Sequence, residues 1–92
     1  MIRSFKHRGL RRFFVRGDAS GIHASHRGTI EQILTALNVA MAPSWLSLPR
    51  YHLHPLTGDR AGFWAVTVRA NWRIVFRFEN GEVHDVDLVD YH

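Results

Sequence analysis

The 92-residue chain has no cysteine, which excludes a disulfide scaffold, a thiol nucleophile and thiolate zinc sites together. No apolar run approaches the ~18 residues of a membrane span. Residues 1–6 (Met-Ile-Arg-Ser-Phe-Lys) hold no apolar signal core, so a cytoplasmic protein is expected. Phosphate-binding glycine loops, a GxSxG elbow and an HExxH pair are all missing. Lysine is nearly absent too: Lys6 stands alone beside eleven arginines. Acids are scarce over most of the length. Residues 1–78 hold every basic residue but only Asp18, Glu31 and Asp59, a net of +9, whereas residues 79–92 carry a net of −5.

What remains is a basic body of ordinary apolar content, 46%. The length fits one domain over residues 1–92. An arginine-rich surface suggests a polyanionic partner, nucleic acid first, because a guanidinium pairs two phosphate oxygens at once. A solvated basic surface that binds nothing is the plain alternative.

The periodicity divides the chain. Ile2 to Phe5 suggests a short strand. From His7 to Arg16, Leu10, Phe13 and Phe14 form the i, i+3, i+4 stripe of a helix, with Gly17 as its C-terminal cap. Thr29-Ile30-Glu31-Gln32 resembles a capping box, followed by Ile30, Ile33, Leu34 and Leu37 on one helical face, though an earlier start is compatible with the pattern. Pro43 and Pro49 bracket a helical turn. From Tyr51 the period becomes 2. Strands are expected over Tyr51–Pro55, Phe63–Arg69, Arg73–Phe78 and Glu82–Val89, with Asn80-Gly81 as a hairpin turn. The expected fold is α+β in two layers, an N-terminal helical pair on one face of a small, mainly antiparallel sheet. Arg69, Arg73 and Arg77 would then line the uncovered face.

His23 and His26 stand at i, i+3, and His52 and His54 at i, i+2 on one expected strand face. Neither pair has a third ligand at metal-binding spacing, so no metal or cofactor is expected. RNA cleavage needs neither. The ribose 2′-hydroxyl is the nucleophile, and the protein must supply a base, an acid and cations around the phosphorane. Histidine suits the proton roles at neutral pH. Strand ends in a meander cluster, which makes His54, Arg73, Asp90, Tyr91 and His92 the candidates. A frayed Asp-Tyr-His tail is the competing reading.

Four ordered segments carry a family resemblance: Met1-Ile2-Arg3-Ser4-Phe5-Lys6-His7, Leu53-His54-Pro55-Leu56-Thr57-Gly58-Asp59-Arg60, Val68-Arg69-Ala70-Asn71-Trp72-Arg73-Ile74 and Val89-Asp90-Tyr91-His92. Together they resemble HigB-type toxins of the RelE/ParE superfamily, the toxin half of type II toxin–antitoxin pairs, over the whole chain. The resemblance implies a RelE-like fold and an endoribonuclease that cuts mRNA in the ribosomal A site. It implies a helix-turn-helix, HigA-like antitoxin as partner, with operator DNA reached only through that complex, and no membrane. It places His54, Asp90, Tyr91 and His92 at active-site positions and Arg73 at a phosphate-contacting one. His92 and Asp90 would share the proton transfers with His54 assisting, the acid and base roles left open. Arg60, Arg69 and Arg77 complete the expected RNA-binding set. One departure stands out: some relatives carry lysine where this chain has Thr57. Arg60 or Arg73 would have to compensate, or the enzyme would be weak. Two other readings remain, a ParE-like gyrase inhibitor that cleaves nothing and a noncatalytic nucleic-acid-binding module.

Overall fold

The structure, a computed structural model, describes residues 1–91. Helix α1 spans Arg8–Arg16. His7 caps it by accepting the Leu10 N–H at Nδ1, 3.0 Å away. Gly17, at φ 70°, closes its other end, donating its N–H to the Phe13 carbonyl. The left-handed turn there is one glycine enters without a Cβ clash.

Helix α2, Arg27–Val39, begins before the expected capping box. A 3₁₀ turn over Ala24–His26, capped by His23, leads straight into it, so Thr29 falls inside the first helical turn. His26 takes the N-cap position with no side-chain bond to the helix. Ile30, Ile33, Leu34 and Leu37 are buried as their spacing predicts.

Pro43–Leu46 is the expected helical turn, but a further 3₁₀ turn, Pro49–Tyr51, replaces the start of the first strand. Pro49 sets φ for that turn, and His52 leaves it in the left-handed region at φ 46°. Strand β1 is therefore only His54–Pro55, and His52 does not share a strand face with His54. Strands β2 (Phe63–Arg69), β3 (Trp72–Glu79) and β4 (Glu82–Asp90) complete the sheet, paired antiparallel in the order β1-β2-β3-β4. Asn80 at φ 54° and Gly81 at φ 77° make the β3–β4 hairpin a type I′ turn. The N-terminus forms no strand of its own. Ile2 and Phe5 bridge in parallel to Val83 and Val86 of β4, with Arg3 and Lys6 donating to the Val83 and Val86 carbonyls.

One sheet face carries Val66, Val68, Ile74, Phe76, Val83 and Val86 into a core with Leu10 and the α2 stripe. The other face carries the row His54, Ala65, Val75, Asp87 and the row Thr67, Arg73, Val89. Two irregularities break the alternation assumed from sequence. The first, between Thr67 and Arg69, pairs Arg69 with Trp72. A bulge lets two residues oppose one and shifts the parity of the residues beyond it. Arg69 thereby leaves the face of Arg73, and its charge acts on His26. The second places Asp85 at φ 57° in β4, opposite the Val75–Arg77 stretch. Arg73 and Arg77 thus share one face of β3 as expected, and only Arg69 is missing from the stripe. Among the described residues no helix is long and apolar enough to cross a membrane.

Candidate functional site

Ala65 and Val75 are 0% and 3% exposed although the helices lie on the far side of the sheet. The segment between β1 and β2 reaches over this face, where Asp59 and Arg60 line a small cavity with Val75. It is pinned by the Leu56 N–H to the Phe63 carbonyl and tightened by a 3₁₀ turn over Gly58–Arg60. Gly58, at φ 66°, starts that turn in a conformation other residues rarely adopt. Thr57 precedes it with no side-chain bond to the turn. The second sheet face is thus a cleft roofed on one side, rather than the open basic surface expected.

His54 enters this cleft from β1. Its Nδ1 lies 2.8 Å from the His52 carbonyl. A carbonyl only accepts, so Nδ1 carries the proton and the neutral ring presents an unprotonated Nε2. The left-handed turn at His52 is what brings that carbonyl under the ring.

Arg73 lies two strands over, about 10 Å by strand spacing. Its Nη1 donates to the Ala70 and Trp72 carbonyls, which orients the guanidinium and leaves its other N–H groups for an anion. Tyr91 extends β4, its N–H bonded to the Asn71 carbonyl at 2.7 Å. Arg60 reaches it from the roof, with Nη1 3.4 Å from the Tyr91 hydroxyl and the guanidinium carbon 5.9 Å from the ring centroid. The roof and the C-terminal end of the sheet meet there.

The remaining expected residues are placed differently. Asp90 pairs with Trp72, so strand alternation sets it on the opposite face from Asp87 and Val89. Arg77 is held by Asp85 at 2.8 Å and Glu79 at 2.7 Å. Those carboxylates hold its proton more tightly still, and the hydrogen bond from Arg77 is the main cause holding both carboxyls below their usual range. A guanidinium with two carboxylates offers little net field to a phosphate. Arg69 stands by His26, which is 9% exposed and whose ring lies 5.8 Å from that of Trp72. Burial first, then His23 and Arg69, push the His26 pKa down. His92 lies outside the described residues.

Three residues that the sequence did not single out line the roofed part of the cleft. Lys6, Asp59 and Asp87 join Arg60, Phe63 and Val75 around a cavity of about 90 Å³. Asp87 could have been found from its two-residue spacing to Val89 and Tyr91. Lys6 could not, because its place depends on the parallel bridges to β4. Two larger grooves, of about 420 and 600 Å³, lie against α2 and contain none of the expected acid–base residues.

Known proteins resemble the chain in sequence and in architecture. The chain is 47% identical over 92 residues to "Endoribonuclease HigB" of Proteus vulgaris, covering 100% of both. Solved structures share the fold at low identity. The YoeB–YefM complex from Staphylococcus aureus matches with a TM-score of 0.63 at 10% identity, over 100% of this chain and 98% of that one. The YoeB/ParE toxin from Agrobacterium tumefaciens matches with a TM-score of 0.61 at 19% identity, over 100% and 99%. Two helices packed on a four-stranded antiparallel sheet are the RelE-like fold these share. The family model for the "RelE-like toxin of type II toxin-antitoxin system HigB" matches residues 3–92, and the chain belongs to that family.

Proposed function

We propose that the protein is an endoribonuclease toxin that cuts mRNA on the ribosome, without a metal ion, by attack of the 2′-hydroxyl on the adjacent phosphate. Endoribonuclease activity is supported by the full-length relation to the Proteus vulgaris protein of that name. Ribosome dependence and the acid–base chemistry rest on the residues and on the resemblance. The observation that carries the reading is His54, whose Nδ1–H is fixed by the His52 carbonyl so that Nε2 is ready to accept a proton in a cleft with Arg73 and Tyr91.

In this mechanism His54 Nε2 takes the proton of the 2′-hydroxyl as that oxygen bonds to phosphorus. The bond from phosphorus to the 5′-oxygen breaks, and a proton from His92 goes to the departing oxygen, leaving a 2′,3′-cyclic phosphate. Arg73 and Arg60 stabilise the extra charge on the phosphorane, in place of the lysine that some relatives carry where this chain has Thr57. Tyr91 offers a stacking plane for an unpaired base. Arg77 and Arg69 act at the margins, the first tied to carboxylates and the second beyond the bulge. A HigA-like antitoxin with a helix-turn-helix domain would neutralise the toxin in the cytoplasm and carry the pair to operator DNA.

Primer extension on translated and untranslated copies of one message, after induction, tests the reading. Cuts confined to translated copies, abolished by His92→Gln with ribosome binding retained, are expected. Growth arrest without cuts, indifferent to His92→Gln, would favour the gyrase-inhibitor or simple binding alternatives instead.

A further inference from the structure

The small cavity beside the proposed reaction centre has an unusual charge layout. Lys6 and Arg60 face it with Asp59 and Asp87, while Val75 and Phe63 supply apolar walls. Among the described residues, no ion pair joins these cations to these carboxylates. Three of the four are held elsewhere. Lys6 Nζ sits 5.2 Å over the centre of the Phe63 ring. Arg60 leans on Tyr91. Asp87 Oδ1 accepts the Leu88 N–H at 2.9 Å, which leaves Oδ2 without that bond. Opposite charges near one void would ordinarily collapse onto each other. Here they are kept apart as separate donors and acceptors.

A free phosphate would meet two carboxylates, and a metal cation would meet Lys6 and Arg60. Neither suits the lining. A flat group whose edge alternates N–H donors with carbonyl or ring-nitrogen acceptors suits it well, with its face against Val75. About 90 Å³ holds about three waters, enough for the polar edge of one base but not for a nucleoside. The geometry points to a base-reading pocket for one nucleotide flanking the cut: Asp87 and Asp59 accept from an exocyclic amine, and Lys6 and Arg60 donate to the neighbouring acceptor. This assignment rests on the ribonuclease reading. Arg60 connects the two sites, touching Tyr91 on one side and lining the cavity on the other. Adenine, cytosine and guanine carry an exocyclic amine and uracil does not, so uracil is disfavoured at that position, by on the order of tenfold for one good base contact.

The test maps cuts by primer extension on translated messages that present all four bases at each position around the cleavage point. The wild-type protein, Asp87→Asn and Lys6→Met are compared, with thermal melting of each. Wild type should cut poorly when uracil occupies one fixed position. Asp87→Asn, whose amide both donates and accepts, should raise the uracil share there about tenfold. Lys6→Met keeps an apolar stem on Phe63 and should redistribute cuts among adenine, cytosine and guanine, so it carries the test should Asp87→Asn fail to fold. Equal use of uracil by wild type, or folded variants with the wild-type profile, would overturn the pocket while leaving the ribonuclease intact. No cutting of any message by wild type would remove the ribonuclease reading, and the pocket with it.

Discussion

His54 is half-buried at a strand end, and its side chain holds no part of the core. Its replacement by alanine should therefore separate chemistry from folding. We expect His54→Ala to lower the rate of message cleavage about 10²–10⁴-fold with little change in melting temperature, measured on the same preparation. His26 behaves in the opposite way. Its folded pKa lies below the ordinary value, so the unfolded chain binds the extra proton first as pH falls. Stability is then full above the unfolded pKa of ~6.5 and declines below it. His26→Phe should flatten the fall in melting temperature between about pH 7 and pH 5, and an unchanged slope would assign that acid sensitivity elsewhere. Asp85 and Glu79 act in a lower range. Their depressed carboxyl pKa values add stability above the unfolded value of ~4 that is lost on further acidification, so Arg77→Met should weaken the pH dependence there.

At the scale of elements, α1, α2 and the β3–β4 hairpin are legible because each is specified locally. The 3.6-residue stripe, Gly17 and Asn80-Gly81 need no distant partner to be read. The hairpin turn is correspondingly sensitive. Gly81→Val places a β-branched residue at φ 77° and should cost about 1–3 kcal/mol in chemical denaturation. Leu37→Ala, in the buried stripe of α2, should cost about 2–5 kcal/mol. The site is legible only in part. His54, Arg73 and Tyr91 fall on one face because strict alternation happens to hold between them. Arg69 is misplaced by alternation because it ignores bulges, which arise from pairing with other strands, whereas Arg77 keeps the expected face of β3 and is diverted only by its pairs with Asp85 and Glu79. No local pattern marks the shift after Thr67, and Asp85 in the left-handed region looks like any strand aspartate. The shortening of β1 has the same origin, since Pro49 and the left-handed His52 act against an alternation that otherwise extends to Tyr51.

For the whole molecule, charge is segregated along the chain, and folding brings some of the C-terminal acids back onto basic partners, Glu82 onto Arg3 and Asp85 onto Arg77. Arg8, Arg11, Arg12 and Arg16 line one groove along α1. Such a patch suits long-range attraction to ribosomal RNA, with counterions released on contact. Ribosome affinity should fall steeply with salt. Arg8→Gln with Arg11→Gln should reduce the slope of log affinity against log salt by roughly one for each phosphate no longer neutralised. A slope unchanged by both substitutions would assign RNA binding to another face.

The parallel bridges of Ile2 and Phe5 to Val83 and Val86 bear on how the protein is born. The opening residues leave the exit tunnel first yet cannot dock until the final strand has emerged. Lys6 takes its place over the cleft only through that docking. The cavity beside the proposed reaction centre is therefore completed only once the first residues and the last strand have come together.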